Sequence, residues 1–136
     1  MTKTVSLKVK CPHCGNSFMD SETMLHEAPS IKLNIETPSQ RGTIRLCSIY
    51  GCYDHLCDFD LKKGEIARVY CPTCNKELKS NDECDVANCN APMIPFILEL
   101  GGKVFICSRC GCENHFVAFE DLETQLRKFY HEYGEF

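Results

Sequence analysis

Short stretches of alternating apolar and polar residues recur along the chain and predict a mainly β fold. Residues 3–10 place Val5, Leu7 and Val9 on one side, which is the period-two pattern of a half-buried strand. Similar or apolar stretches predict further strands at 31–35, 44–46, 56–61, 66–70, 93–100, 104–106 and 116–119. Residues 15–30 are polar and show no alternation, so we expect an irregular connection there.

The apolar period changes after residue 119. Large apolar residues then recur at three-, four- and seven-residue spacings, which is the pattern of an amphipathic helix. They are Phe119, Leu122, Leu126, Phe129, Tyr130 and Tyr133. Gly134 is well placed to end this helix. Its apolar face either packs on the protein's own sheet or docks on a partner.

Two cysteine-containing turns, here called knuckles, each occur twice. The segment CPHC at 11–14 returns as CPTC at 71–74, and CSIYGCYDH at 47–55 returns as CSRCGCENH at 107–115. The matched cysteines are displaced by sixty residues without a gap, which indicates an internal duplication. We therefore divide the chain into a first repeat at 1–62, a second repeat at 63–119 and a C-terminal helix at 120–136.

The small size of the repeats makes the cysteines the central question. The chain has 136 residues and twelve cysteines, and a unit of about 60 residues needs a disulfide, a metal or a partner to be stable. The N-terminus lacks the apolar core of a signal peptide, and no apolar run approaches the roughly 20 residues that span a bilayer. We therefore expect a cytoplasmic protein whose paired cysteines bind metal.

The knuckles resemble those of zinc ribbons, in which two strand-borne turns clamp one ion. CPHCG at 11–15 is also close to the rubredoxin pattern, whereas the second knuckle has four residues between its cysteines instead of two. The resemblance implies a small, metal-stabilised, mainly β fold of tandem zinc-ribbon-like repeats. Structural zinc takes four ligands, mostly thiolate and imidazole. Cysteines shared by both repeats suggest one site from Cys11, Cys14, Cys47 and Cys52, and another from Cys71, Cys74, Cys107 and Cys112.

The second repeat has three cysteines without a cysteine counterpart, namely Cys84, Cys89 and Cys110. In the ungapped register they align with Met24, Pro29 and Tyr50. One alternative joins Cys84 and Cys89 to the knuckle at 71–74. A second ion would then be bound by Cys107, Cys110, Cys112 and His115. The other alternative joins the same pair to Cys107 and Cys110. We expect two or three ions, zinc in preference to iron.

The two shared histidines and one further cysteine have several interpretations. His55 and His115 could each replace the second cysteine of a knuckle, or support a thiolate through a hydrogen bond. Cys57 shares a strand face with Phe59, so we interpret it as a small buried hydrophobic residue. We place His26 at the surface.

Charge and motifs restrict the function. The formal net charge is −4, and each zinc bound by four thiolates adds two negative charges, so two such sites give about −8. This disfavours a phosphate-backbone binder. No glycine-rich phosphate loop, Gly-x-Ser-x-Gly or zinc-deaminase pattern occurs, so we expect no catalysis. We expect a zinc-binding accessory subunit or adaptor of a larger complex, bound to protein and to no membrane. The alternatives are a nucleic-acid-associated zinc ribbon and a rubredoxin-like or iron–sulfur electron carrier.

Overall fold

The protein is represented by a computed structural model that describes residues 6–50, 52–99, 101–112 and 115–118, the last four by their backbone alone. These residues form a mainly β fold and contain no helix. The helix expected at 120–136 lies outside the described residues. The strands are β1 (Val9–Lys10), β2 (Met19–Leu25), β3 (Ala28–Glu36), β4 (Arg41–Leu46), β5 (His55–Cys57), β6 (Arg68–Tyr70), β7 (Met93–Leu98), β8 (Lys103–Cys107) and β9 (His115–Ala118).

The strands form two antiparallel sheets. One has the order β1-β7-β8-β9, and the other has the order β2-β3-β4-β5 with β6 added to β3. Strand β4 covers one edge of β3. The opposite edge pairs first with β2, around Ile31, and then with β6, around Ile35.

The two repeats exchange strands. Strand β1 of the first repeat pairs with β7 of the second repeat, with Val9 opposite Leu98. Reciprocally, β6 of the second repeat pairs with β3 of the first repeat, with Val69 opposite Ile35. Each sheet therefore contains strands from both repeats, and the backbone hydrogen bonds of one repeat depend on the presence of the other.

The sixty-residue register holds at the knuckles but is wrong in the hairpins between them. Ile44 pairs with Leu33, and its counterpart Val104 pairs with Phe96. Leu33 therefore corresponds to Phe96, at an offset of sixty-three residues. The second repeat has a longer loop before β7 and a shorter turn after it. The ungapped alignment of Cys84 and Cys89 with first-repeat residues is thus not the structural one.

Strand β2 was missed by the sequence interpretation, which expected an irregular connection at 15–30. It pairs with β3 along an edge of the sheet, with a bulge between Asp20 and Met24. Most of its side chains are exposed or half-buried on both faces. A strand without one buried face shows no alternation of apolar and polar residues, so the period-two signal is absent.

One hydrophobic core is shared by both sheets. Its buried members include Val9, Leu33, Val69, Leu78, Phe96 and Leu98. Phe18 and Phe96 meet edge to face, with their ring centroids 5.7 Å apart. A mainly apolar cleft of about 240 Å³ opens beside this core and is lined by residues of both repeats. Within the described part of the chain, no helix is long and apolar enough to cross a membrane.

Candidate metal centres

The two Cys-x-x-Cys knuckles come together where the repeats exchange strands. Each knuckle directly follows an exchanged strand, β1 or β6. The sulfur atoms of Cys11, Cys14, Cys71 and Cys74 all lie within 4.8 Å of one another. The Cys11 and Cys74 Sγ atoms are 3.8 Å apart, and those of Cys14 and Cys71 are 3.6 Å apart. Tetrahedral zinc with Zn–S bonds of about 2.3 Å places its sulfurs about 3.8 Å apart. We call this cluster the shared centre.

Backbone N–H groups donate hydrogen bonds to the sulfur of the first cysteine in each knuckle. The N–H groups of His13 and Cys14 donate to Cys11 Sγ at 3.3 and 3.4 Å. The second knuckle repeats this arrangement at Cys71 Sγ, with distances of 3.4 and 3.5 Å. Such bonds stabilise a thiolate. The same local geometry at both knuckles gives the shared centre approximate two-fold symmetry.

The second cluster lies entirely within the second repeat, and we call it the second-repeat centre. It contains Cys84, Cys89, Cys107 and Cys112, whose sulfurs also lie within 4.8 Å of one another. The Cys84 and Cys112 Sγ atoms are 3.8 Å apart, and those of Cys89 and Cys107 are 3.5 Å apart. Cys84 and Cys89 come from the loop before β7, whereas Cys107 and Cys112 come from the knuckle at the end of β8.

Arg109 holds the two halves of the second-repeat centre together. Its Nε donates to Cys89 Sγ at 3.4 Å, and a terminal nitrogen donates to the Cys89 carbonyl at 2.9 Å. The other terminal nitrogen donates to the Gly64 carbonyl at 2.8 Å. The backbone N–H of Arg109 also donates to Cys107 Sγ at 3.4 Å. The guanidinium therefore places a positive charge beside the thiols and fixes the loop that carries Cys89.

The thiols of each centre differ in acidity. Burial raises the pKa of Cys11 to about 11 and also raises the pKa of Cys107. A hydrogen bond from the backbone two residues further along lowers the pKa of Cys14 to about 7 and that of Cys89 to about 6. Four thiolates at such distances repel one another, so a divalent cation is the natural group to replace their protons.

The clusters differ from the expected ligand sets. The knuckle at 11–14 joins the knuckle at 71–74, and not Cys47 and Cys52 of its own repeat. Cys84 and Cys89 join Cys107 as one alternative proposed, but the fourth member is Cys112 instead of Cys110. Sequence spacing could not identify these partners because they depend on the strand exchange and on the shifted register of β7.

Four further cysteines and histidines considered in the sequence lie outside the two clusters or outside the described structure. Cys110 is half-buried against the core, and its burial raises the pKa of its thiol. Cys57, which was expected to be a small buried hydrophobic residue, is half-buried and packs against the core. His55 is exposed, with Nδ1 3.4 Å from the Tyr53 carbonyl oxygen. The side chain of His115 lies outside the described residues.

Comparison with protein-family models, with curated proteins and with solved structures found no match. The similarity to zinc ribbons therefore rests on the knuckles of this chain. The two clusters of four cysteines, which are compatible with metal binding, are the features from which a function can be argued.

Proposed function

We propose that the protein is a zinc-binding structural protein that acts as a small accessory subunit or adaptor of a larger complex. The observation that carries the proposal is the presence of two separate groups of four cysteine sulfurs at distances suited to a tetrahedral ion. Thiolates are preferred ligands of zinc, and two turns of two cysteines each are the usual way to supply four of them.

A structural role is favoured over a catalytic one by the composition of the two centres. Catalytic zinc keeps one coordination position open for water or substrate, whereas structural zinc has four protein ligands. Each centre supplies four thiolates, which fill a tetrahedral ion completely. Zinc at these centres would therefore stabilise the fold without taking part in a reaction.

The short exchanged strands explain why a metal ion would stabilise the contact between the two repeats. Strand β1 has two residues and β6 has three, so few ladder hydrogen bonds connect the repeats. Cys11 and Cys71 come directly after these strands and belong to the main core. An ion at the shared centre would tie both strands at one point, and its binding free energy of about 10–16 kcal/mol would become folding free energy.

An adaptor role is supported by the distribution of exposed apolar side chains. Four large ones belong to the first repeat: Met24, Tyr50, Tyr53 and Leu56 are 43–50% exposed. Tyr50 and Tyr53 also line the apolar cleft. Tyrosine is enriched at the centre of protein interfaces. The acidic net charge of −4 makes a protein surface a better partner than a nucleic-acid backbone.

Metal analysis of protein purified under reducing, chelator-free conditions tests the first half of the proposal. We expect a colourless protein that carries at least two tightly bound zinc ions in native mass spectrometry. Visible charge-transfer bands with bound iron would contradict the assignment of zinc. A folded protein without metal would contradict both centres.

Cross-linking of a tagged protein in its native extract tests the second half. We expect a discrete protein partner whose recovery falls when Tyr50 and Tyr53 are both replaced by serine. Val86→Ser is the matched control, because Val86 is 46% exposed but lies in the second repeat. A lone monomer, or equal loss of the partner in both variants, would contradict an adaptor surface at the first repeat.

A further inference from the structure

Among the described residues, the knuckle of the first repeat at 47–52 belongs to neither of the two four-cysteine centres. Cys47 and Cys52 correspond to Cys107 and Cys112, and their turns are closed by equivalent backbone bonds. The Cys52 N–H donates to the Ile49 carbonyl at 2.9 Å, and the Cys112 N–H donates to the Arg109 carbonyl at 3.0 Å. The turn that carries Cys52 is therefore closed in the same way as the turn that carries Cys112.

Each of these two knuckles also contains a serine that makes an equivalent hydrogen bond. Ser48 Oγ donates to the Pro29 carbonyl at 2.6 Å, and Ser108 Oγ donates to the Pro92 carbonyl at 2.6 Å. Pro29 and Pro92 are thus the same structural position, just after the tip of the preceding hairpin. In both repeats the knuckle is fastened to the strand that leaves this tip.

The hairpin tips differ in length and in the ligands they supply. In the first repeat, Leu25 pairs with Ala28 around a two-residue turn at His26 and Glu27. In the second repeat, the Cys84 N–H donates to the Ala91 carbonyl and closes a longer loop. This loop contains Cys89. His26 therefore occupies the place where the second repeat supplies cysteine ligands, and it faces a similar knuckle.

Donor atoms of three residues converge at this place. His26 Nε2, the Cys52 sulfur and a carboxylate oxygen of Asp54 all lie within 4.8 Å of one another. His26 Nε2 is 2.5 Å from Asp54 Oδ2. The Cys47 N–H donates to the Asp54 carbonyl at 2.9 Å, which brings the backbone of the knuckle's first cysteine beside the cluster. Imidazole, thiolate and carboxylate are the three ligand types that zinc accepts in proteins.

We propose that His26, Cys52 and Asp54 form a third binding site for a divalent ion of the zinc type, with Cys47 as the neighbouring thiol of the same knuckle. The site goes beyond the two four-cysteine centres and does not depend on the adaptor role. His26 and Asp54 are more than half exposed, so the ion would meet solvent. An ion with three protein ligands keeps a position for water or an exogenous ligand, and we expect it to exchange more readily than ions at the four-cysteine centres.

Stepwise zinc addition, followed by native mass spectrometry, tests the third site. We expect the wild-type protein to bind three ions, of which one is removed first by a competing chelator. His26→Asn suits the left-handed turn conformation, since His26 has φ 54° and asparagine tolerates that region. This variant should keep two ions and bind the third at least about 100-fold more weakly, because loss of a mere supporting group already costs about 10–100-fold.

His55→Asn is the matched control, because His55 is also an exposed histidine of the first repeat but does not belong to the cluster. It should bind three ions like the wild type. Asp54→Asn and Cys52→Ser should behave as His26→Asn does, and the two remaining ions report that each variant is folded. Binding of only two ions by the wild type, or a third ion unaffected by these substitutions, would overturn the third site while leaving both four-cysteine centres intact. Absence of the two ions at the four-cysteine centres of the wild type would instead contradict the proposed function.

Discussion

The two four-cysteine centres have the same type of ligand, four cysteine sulfurs, but they lie in different parts of the fold. Cys11 and Cys71 of the shared centre belong to the main core, together with residues from both sheets. The second-repeat centre belongs to a smaller cluster formed by Cys84, Cys89 and three neighbours of the same repeat. A metal centre therefore stabilises those parts of the protein that its ligands connect. The shared centre joins the repeats, whereas the second-repeat centre joins one hairpin tip to one knuckle.

Loss of a shared-centre ligand should have the largest effect. Cys71→Ser should abolish metal binding at this centre and unfold both repeats, because the lost binding free energy of about 10 kcal/mol or more matches a typical total stability of about 5–15 kcal/mol. Hydrogen exchange should show loss of protection in β3 and β7 together. Cys57→Ala is the control and should retain the ions of both four-cysteine centres. Loss confined to one repeat would contradict the coupling of the repeats through this centre.

Loss of a second-repeat ligand should have a local effect. Cys89→Ser should lose one ion while the shared centre keeps its own, since Cys89 lies outside the main core. Hydrogen exchange should increase in residues 82–93 and 107–112 and stay unchanged in β3. Global unfolding, or loss of both ions, would show that the two centres are not independent.

Sequence reasoning could identify the strands with one buried face and the knuckles, because alternation and cysteine spacing are local signals. It found β3 and β4 in this way and β7 as an apolar run, and it named all eight cysteines of the two clusters among its candidates. It could not assign the cysteines to centres, since the strand exchange is a tertiary feature. The constant sixty-residue offset between knuckles also concealed a longer loop around Cys89 and a shorter turn after β7, because the two changes in length cancel.

Truncation of equivalent core residues compares the two sheets directly. Phe96 and Leu33 are structural counterparts, and both are almost fully buried. Phe96→Ala should cost about 3–5 kcal/mol and Leu33→Ala about 2–5 kcal/mol. Because the core is shared, the zinc-loaded protein should unfold in one cooperative transition. Each substitution should lower the denaturant concentration at the midpoint of that transition. Two separate transitions, only one of which responds, would contradict a single core.

The arginine of the second-repeat centre should have a smaller effect. Arg109 contacts both the sulfur and the carbonyl of Cys89, whereas its first-repeat counterpart is Ile49. Arg109→Ala should weaken metal binding at the second-repeat centre by about 10–100-fold, as loss of a supporting hydrogen bond does. Chelator competition should show no change at the shared centre. Ile49→Ala is the matched control, and an equal effect on metal release would contradict a specific role for the guanidinium.

The smallest effect concerns the residue that follows each knuckle of the shared centre. Gly15 has φ 78° and its counterpart Asn75 has φ 61°, so both occupy the left-handed region that glycine and asparagine tolerate best. A Cβ atom added at Gly15 would meet no atom within 4 Å, so only the backbone conformation opposes substitution. Gly15→Ala should therefore cost about 1 kcal/mol and Gly15→Asn less, as measured by denaturant unfolding of the zinc-loaded protein. If Gly15→Asn were the more costly change, the two knuckles of the shared centre would not be equivalent.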